Sequence, residues 1–408
     1  MSLRRGDRPP HVNARRLRDL NAAMGIGTDA VDPYRRLAER GATPPLIRAG
    51  DYGTYEGEPR PVFTTSDFHS AQAVLTDARF SSAINAEKMN PLFGHSLLEM
   101  DGAEHDSFRG VIEPLLTRRI SSEVVAPATG EIVAELMEAV APATSADLVD
   151  ALTTRYPVLV ILRLLDMPAR LADRLQRRST EVLGPTVRSG RARRGSRALT
   201  RTLSPFVRSR RNGGGHDLVT RIASAQLDGR PLSDEEVLSF LRLLVPAATD
   251  TPYRASSTLL HALLTHPDQL RLVREDRALL DDALEESLRW ECPLLSVTRC
   301  AAEDVQILGV DVPEGAMVIV DIGAANRDPQ RWVEPDRFDI LRPRKTNLAF
   351  SGGPHLCAGI HMAKAEIPAM LDTLLDGFPL LRLDERGPVP SITGTEWRVP
   401  VAVPARWD

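Results

Sequence analysis

The stretch Phe350–Gly359, read Phe-Ser-Gly-Gly-Pro-His-Leu-Cys-Ala-Gly, constrains the chain more than any other. Gly352 and Gly353 admit backbone angles that a Cβ forbids, and Pro354 stiffens the turn that follows. Cys357 then stands just before a helical pattern running from about Ala358 to Leu375. A cysteine at a helix N-terminus meets free N–H groups and the positive end of the dipole, which favours its thiolate. No second Cys or His stands at zinc spacing, so an open backbone around one thiolate suits an axial ligand to a haem iron. An isolated cysteine after a glycine turn is more often a buried structural one, and the ordered string around it decides between the two.

Phe350, Gly353, His355, Cys357 and Gly359 fall at the spacing of the haem-binding loop of the cytochromes P-450, which this sequence closely resembles. Ser351 stands where that family usually has Gly. A second anchor is Glu286-Ser287-Leu288-Arg289, 71 residues before Cys357, with Pro335-Asp336-Arg337-Phe338 between them. Glu and Arg three apart on a helix are common and by themselves form an exposed pair worth a few tenths of a kcal/mol. The resemblance implies more: Glu286, Arg289 and Arg337 forming a buried scaffold behind the haem, where loss of one member strands the other charges. Asn326-Arg327-Asp328-Pro329, Trp332 and Phe338-Asp339 complete the family's run.

The third anchor is Ala247-Ala248-Thr249-Asp250-Thr251, inside a long apolar helix. Polar residues there are costly unless satisfied, and Thr251 can bond the carbonyl four residues earlier. By resemblance this segment lies across the haem, with Ala247 against it, Thr251 hydrogen-bonding dioxygen or its water, and Asp250 relaying protons. Ala248 replaces the family's usual Gly. Pro246 and Pro252 remove the N–H groups owed to the carbonyls of Arg242 and Ala248, so a bulge or kink is expected. His105 and Arg109, four apart on a helix after Asp101, match the family's propionate ligands, as do Arg299 and His355.

Composition sets the remaining bounds. Of 408 residues, 42% are hydrophobic and 26% charged, as in ordinary globular proteins, and the net charge of −4 gives no reason to expect nucleic-acid binding. No apolar run approaches a membrane span, and the basic start Met1–Asn13 lacks a signal-peptide core, so a cytoplasmic location is expected. Cys292, Cys300 and Cys357 make no disulfide framework. Lysine occurs only at 88, 345 and 364, a compositional bias toward Arg.

The expected organisation is a loose leader over 1–31 and one catalytic domain over 32–408. Helices are predicted at Tyr34–Glu39, Phe68–Leu75, Glu104–Leu116, Ser233–His266 and Asp281–Glu291, with strands at Val62–Thr65, Val297–Arg299, Val305–Leu308 and Met317–Asp321. Ser81–Leu98 reads as a long loop. Ser121–Asp228 reads as helices broken at Pro142, Pro157, Pro168, Pro185 and Gly213–Gly215. The fold class is mainly α with a small β sheet, a cytochrome P-450 fold holding haem b between the long central helix and the helix after the Cys loop.

The resemblance, from about Asp32 to the end, implies a monooxygenase that inserts one oxygen atom into an apolar C–H or C=C. Electrons would come from NAD(P)H through a separate ferredoxin and ferredoxin reductase or a flavoprotein, with Arg118, Arg119, Arg342, Arg344 and Lys345 as a docking face. A peroxide-driven enzyme and a silent homologue acting as a partner protein are the alternatives. The first usually replaces the Asp-Thr pair and the second tends to lose the Cys loop; both are present. The implied pocket walls are Ser81–Leu98, the region around Leu171–Arg191, Leu243–Thr251, Leu294–Val297 and Ile392–Trp397, and the leucines among them suggest a mainly apolar small-molecule substrate of secondary metabolism. Thirteen arginines between Arg170 and Arg211 face only two acids, Asp173 and Glu181. They form either a solvated surface or a docking face for an acidic carrier protein or anionic substrate.

Overall fold

The computed structural model describes residues 34, 45–52, 60–183, 190–211, 215–394 and 396–408. The expected leader, the Tyr34–Glu39 helix beyond Tyr34, and the breaks at Pro185, Gly213 and Gly214 lie outside them. Strands β1 (Leu46–Tyr52) and β2 (Arg60–Thr65) pair antiparallel. Helix α1 (Phe68–Thr76) starts where Asp67 accepts from the Ser70 N–H at 2.7 Å and Ser70 caps in return. Strand β3 (Phe80–Ser81) and helix α2 (Ala86–Phe93) then occupy the segment expected to be a loop. Only Leu92 and Phe93 of α2 are buried, so its sequence shows little periodicity although the backbone is helical.

Helix α3 (Gly102–Ile112) carries His105 and Arg109, and α4 (Ala126–Val140), β4 (Ser145–Asp147), α5 (Tyr156–Leu164), α6 (Ala172–Leu183), α7 (Gly190–Arg211) and α8 (Leu218–Ala223) follow. The expected break at Pro157 is present: a helical turn ends at Thr153 and Pro157 sits in the first turn of α5, where no N–H is owed, whereas Pro205 lies inside α7.

Helix α9 (Asp234–Thr265) spans 32 residues. Ser233 and Glu236 form a reciprocal capping box, and Asp234, Glu235 and Glu236 sit at the positive end of the dipole. The helix runs through Pro246 and Pro252 without ending. Hydroxyls bond carbonyls around the two rings: Thr249 to Val245, Thr251 to Ala247, Ser256 to Pro252. Helices α10 (Pro267–Glu275) and α11 (Leu280–Trp290) come next, then β5 (Ser296–Ala301), the hairpin β6 (Val305–Ile307) and β7 (Val310–Val312), β8 (Met317–Asp321) and α12 (Ile322–Asn326). After the Cys loop, α13 (Ile360–Gly377) leads to β9 (Arg382–Leu383), β10 (Ile392–Thr393), β11 (Val399–Pro400) and β12 (Pro404–Arg406).

The main sheet has the order β1-β2-β8-β5-β3, with β8 parallel to β2 and antiparallel to β5. A helical core includes Val133, Leu136, Leu259, Leu263 and Leu371, and a second core over the sheet includes Phe63, Phe80, Val318 and Ile322. Ala349 touches both cores, so the Cys loop occupies the seam between them. Among the described residues no helix is long and apolar enough to cross a membrane.

Candidate active site

The Cys loop is pinned by its backbone. Cys357 donates its N–H to the Phe350 carbonyl at 2.9 Å, and Leu356 donates to Gly353 at 3.1 Å. Gly353 has φ +63°, and a Cβ there would lie 2.1 Å from the Leu75 carbonyl oxygen, so the loop reaches α1 only with glycine. Ser351 also adopts a positive φ of 64°, which explains why glycine suits that place. Cys357 is an exposed residue, yet its thiol is enclosed by protein. Burial pushes its thiol up, against the Gly359 N–H and Arg109, which pull it down. Burial thus outweighs the helix N-terminus at this thiol.

Beside the loop, four basic groups, His105, Arg109, Arg299 and His355, gather with three acids, Asp101, Asp106 and Glu113. The His105 and His355 rings are 4.3 Å apart. His355 Nε2 lies 3.1 Å from Asp101 Oδ1 and 3.0 Å from Ser82 Oγ. Burial, then the charge of Arg299, drives the His355 pKa down to about 4, with His105 adding to the effect. Arg299 on β5 is itself buried, which lowers its pKa, and Asp101 alone opposes this. Arg109 donates to the Pro354 carbonyl at 3.1 Å and to Glu113 at 2.5 Å. Arg299 donates only to the Thr298 carbonyl and meets no carboxylate directly among the described residues, so the cluster can still receive a ligand bearing carboxylates.

Across from the loop, α9 is buried nearly all round from Pro252 to Leu264, yet Ala247 is exposed and Leu243, Leu244, Ala248 and Thr251 are partly open. One face of the helix thus borders open space at the segment expected to cover a haem. Thr251 Oγ1 donates to the Ala247 carbonyl at 2.8 Å. Asp250 points the other way, fully buried, accepting from Arg254 Nε at 2.6 Å and from Thr180 of α6 at 3.4 Å. Both Nη atoms of Arg254 are buried without a partner among the described residues.

Behind the loop, Arg289 chelates Glu286 through Nε at 2.7 Å and Nη2 at 2.8 Å, and donates to the carbonyls of Asn326, Pro335 and Arg337. The Asn326 side chain accepts from the Leu348 N–H at 2.7 Å, which carries the network to the Cys loop. The Arg337 side chain is not part of it. It is exposed and meets Glu334 at 3.4 Å, contributing only its carbonyl. The third member is Arg342, whose Nε donates to Glu286 at 3.2 Å. The -Pro-Asp-Arg-Phe- run directed attention to Arg337, and only the chain's return five residues later brings the right arginine in. Of the expected partner-docking face, Arg342 is half-buried and turned to Glu286, while Arg118, Arg119, Arg344 and Lys345 are exposed, Arg119 beside Glu123, Arg344 beside Asp282 and Lys345 donating to the Arg331 carbonyl.

Residues 207–401 match the family model described as "Cytochrome P450". The chain is 34% identical to cytochrome P450 monooxygenase PikC of Streptomyces venezuelae, over 94% of this chain and 93% of that protein. It is 32% identical to 6-deoxyerythronolide B hydroxylase of Saccharopolyspora erythraea, over 86% and 90%. P450BioI, solved in complex with hexadec-9Z-enoic acid ligated acyl carrier protein, superposes with a TM-score of 0.81 at 24% identity, over 92% and 98%. The chain belongs to the cytochrome P450 family and is a monooxygenase of the type that carries haem iron.

Sequence reasoning missed Arg254, though its place four residues after Asp250 on one helix was a readable signal. It also missed Glu366 on α13, a buried carboxyl whose pKa burial raises to about 8. The inner face of α6, in a region expected to wall the pocket, presents the buried polar side chains Gln176, Ser179 and Thr180, which sequence reasoning did not single out.

Proposed function

We propose that Cys357 holds the haem iron between α9 and the α13 loop, with Phe350, Gly353 and Gly359 shaping that side and Ala247 the other. His105, Arg109, Arg299 and His355 would pair with the propionates. The single observation that carries this reading is the open face of α9, where Ala247 is exposed among the buried and half-buried residues 237–264, with Cys357 likewise an exposed residue. Bound haem supplies reductive activation of dioxygen, with one atom entering a C–H or C=C bond and the other leaving as water. Electrons come from NAD(P)H through a ferredoxin with its reductase, or a flavoprotein.

Thr251 holds a proton at the open face, now donated to the Ala247 carbonyl, and a χ1 rotation turns the same proton toward the cavity. Asp250 can resupply it only after leaving Arg254 and Thr180, which requires water to enter and solvate both charges. The alcohol and acid favour dioxygen over peroxide as the oxidant. The substrate is a mainly apolar small molecule of secondary metabolism, tethered to an acidic carrier protein. The carrier complex of P450BioI and the arginine-rich α6–α7 region support the tether.

Thr251→Ala should leave haem content and substrate affinity unchanged. It should lower product formed per NAD(P)H several-fold, the balance appearing as hydrogen peroxide or water. An unchanged product ratio would overturn the role given to Thr251.

A further inference from the structure

Helix α7 contains eight arginines and no acid. Its inner stripe of Ala192, Gly195, Ser196, Leu199, Leu203 and Val207 is buried and supplies the packing. Gly195 allows close approach to α6, where a Cβ would come within 3.1 Å of Glu181. Two of the arginines serve the fold. Arg210 bridges Asp217 at 2.9 Å and Asp166 at 3.1 Å, and Arg211 meets Asp234 at 3.0 Å and the Ala223 carbonyl at 2.6 Å.

The other six, Arg191, Arg193, Arg194, Arg197, Arg201 and Arg208, are exposed and have no hydrogen-bond or ion-pair partner among the described residues. At 100° per residue they cover an arc of roughly 160° and run about 26 Å along the axis. Arg193, Arg194 and Arg201 each stand three or four residues from Arg197, so the row is self-repelling by a few tenths of a kcal/mol per pair. Elsewhere this protein gives exposed helical arginines an acid one turn away: Arg119 with Glu123 at 3.2 Å, Arg271 with Glu275 at 3.0 Å. A chain of net charge −4 that leaves one whole helix face unneutralised concentrates a local positive field there.

We propose that the solvent face of α7 is the docking surface for an acidic helix of the carrier protein, resting on the carrier-tethered reading above. The row is convex, its guanidinium groups diverge, and no small anion can engage more than two of them at once. A straight partner element with acids at helical spacing lies along the four that fall within about 60° of arc, Arg194, Arg197, Arg201 and Arg208, through charge-assisted and bidentate contacts, with Arg191 and Arg193 at its flanks. Ser196 on the inner side donates to the Leu92 carbonyl of α2 at 2.5 Å, so an occupied α7 also bears on the segment that walls the pocket.

The test uses the full-length haem-loaded protein and a recombinant holo acyl carrier protein as probe, with a short DNA duplex and anionic phosphatidylglycerol vesicles as comparators. Arg194→Ser, Arg197→Ser and Arg201→Ser are combined in one variant, and Arg271→Ser is the control. The expected result is carrier binding that weakens about tenfold or more in the triple variant and loses most of its salt dependence, while the control variant matches wild type. Carrier binding that survives the triple change overturns the assignment to α7 and leaves the tethered-substrate reading standing. Absence of carrier binding to the wild-type protein removes both. Tighter, α7-dependent binding of DNA or vesicles overturns the choice of partner. Unfolding midpoints of all variants confirm that the fold is intact.

Discussion

Two helices of this protein each bury an arginine against a carboxylate one turn away, and the two pairs are completed differently. On α11, Arg289 has five N–H groups and five acceptors: two oxygens of Glu286 and three backbone carbonyls. Glu286 is further held by Arg342 and the Asp339 N–H. On α9, Arg254 has one hydrogen bond, to Asp250, and both Nη groups lack hydrogen-bond partners among the described residues, the guanidinium lying 5.5 Å from the Trp397 ring and 5.8 Å from the Tyr253 ring. A saturated ion pair in a low-dielectric interior is a rigid bracket, since any movement strands several groups together. An undersatisfied one gains from the arrival of water. The first suits the scaffold that carries the Cys loop, the second the place where a proton must be handed on.

The largest expected effect separates the two pairs directly. Glu286→Gln with Arg289→Met should cost about 3 kcal/mol or more, because the carbonyls of Asn326, Pro335 and Arg337 and the Arg342 side chain all lose partners. Asp250→Asn with Arg254→Met should change stability by less than about 1 kcal/mol, or raise it, since it removes donors already unsatisfied. Arg337→Ala should shift stability by less than about 0.5 kcal/mol, which tests that Arg342 and not Arg337 completes the bracket. Urea unfolding of the haem-loaded protein measures all three, and equal losses for the two double variants would erase the contrast.

A smaller effect concerns the third buried carboxyl. Glu366 on α13 has no hydrogen-bond or ion-pair partner among the described residues, and burial raises its pKa to about 8. A carboxyl whose folded pKa exceeds its unfolded value binds its proton more tightly in the native state. Its contribution is favourable below the usual 4.5 and is lost as pH rises toward 8. Glu366→Gln should therefore have little effect at pH 4.5 and stabilise progressively above it, by at most about 1.4 kcal/mol per pH unit, levelling off near pH 8. Unfolding midpoints against pH check this. A gain independent of pH would show that Glu366 has a cation or water network of its own.

The same contrast explains what was legible in the sequence. The Cys loop could be read because each residue type meets a local demand: glycine against the Leu75 carbonyl, cysteine at the turn before α13. The N-cap at Ser233 and the existence of the strand Met317–Asp321 follow from spacing alone. Arg342 was not legible because three cations, Arg337, Arg342 and Arg344, stand within eight residues, and the path of a proline-rich segment without periodicity decides which one turns inward. Helix α2 was hidden because it buries only its last turn. The locked orientation of Asp250 was hidden because Thr251 and Arg254 are equally plausible neighbours in one dimension, and tertiary packing against α6 selects one.

The account rests on Cys357 as the ligand of the haem iron, and the carbon-monoxide difference spectrum of the reduced protein tests it most directly. The wild-type protein should show the red-shifted absorption band of thiolate ligation, and Cys357→Ala should abolish that band while Cys292→Ala and Cys300→Ala retain it. A Cys357→Ala protein that keeps the wild-type band would contradict the account.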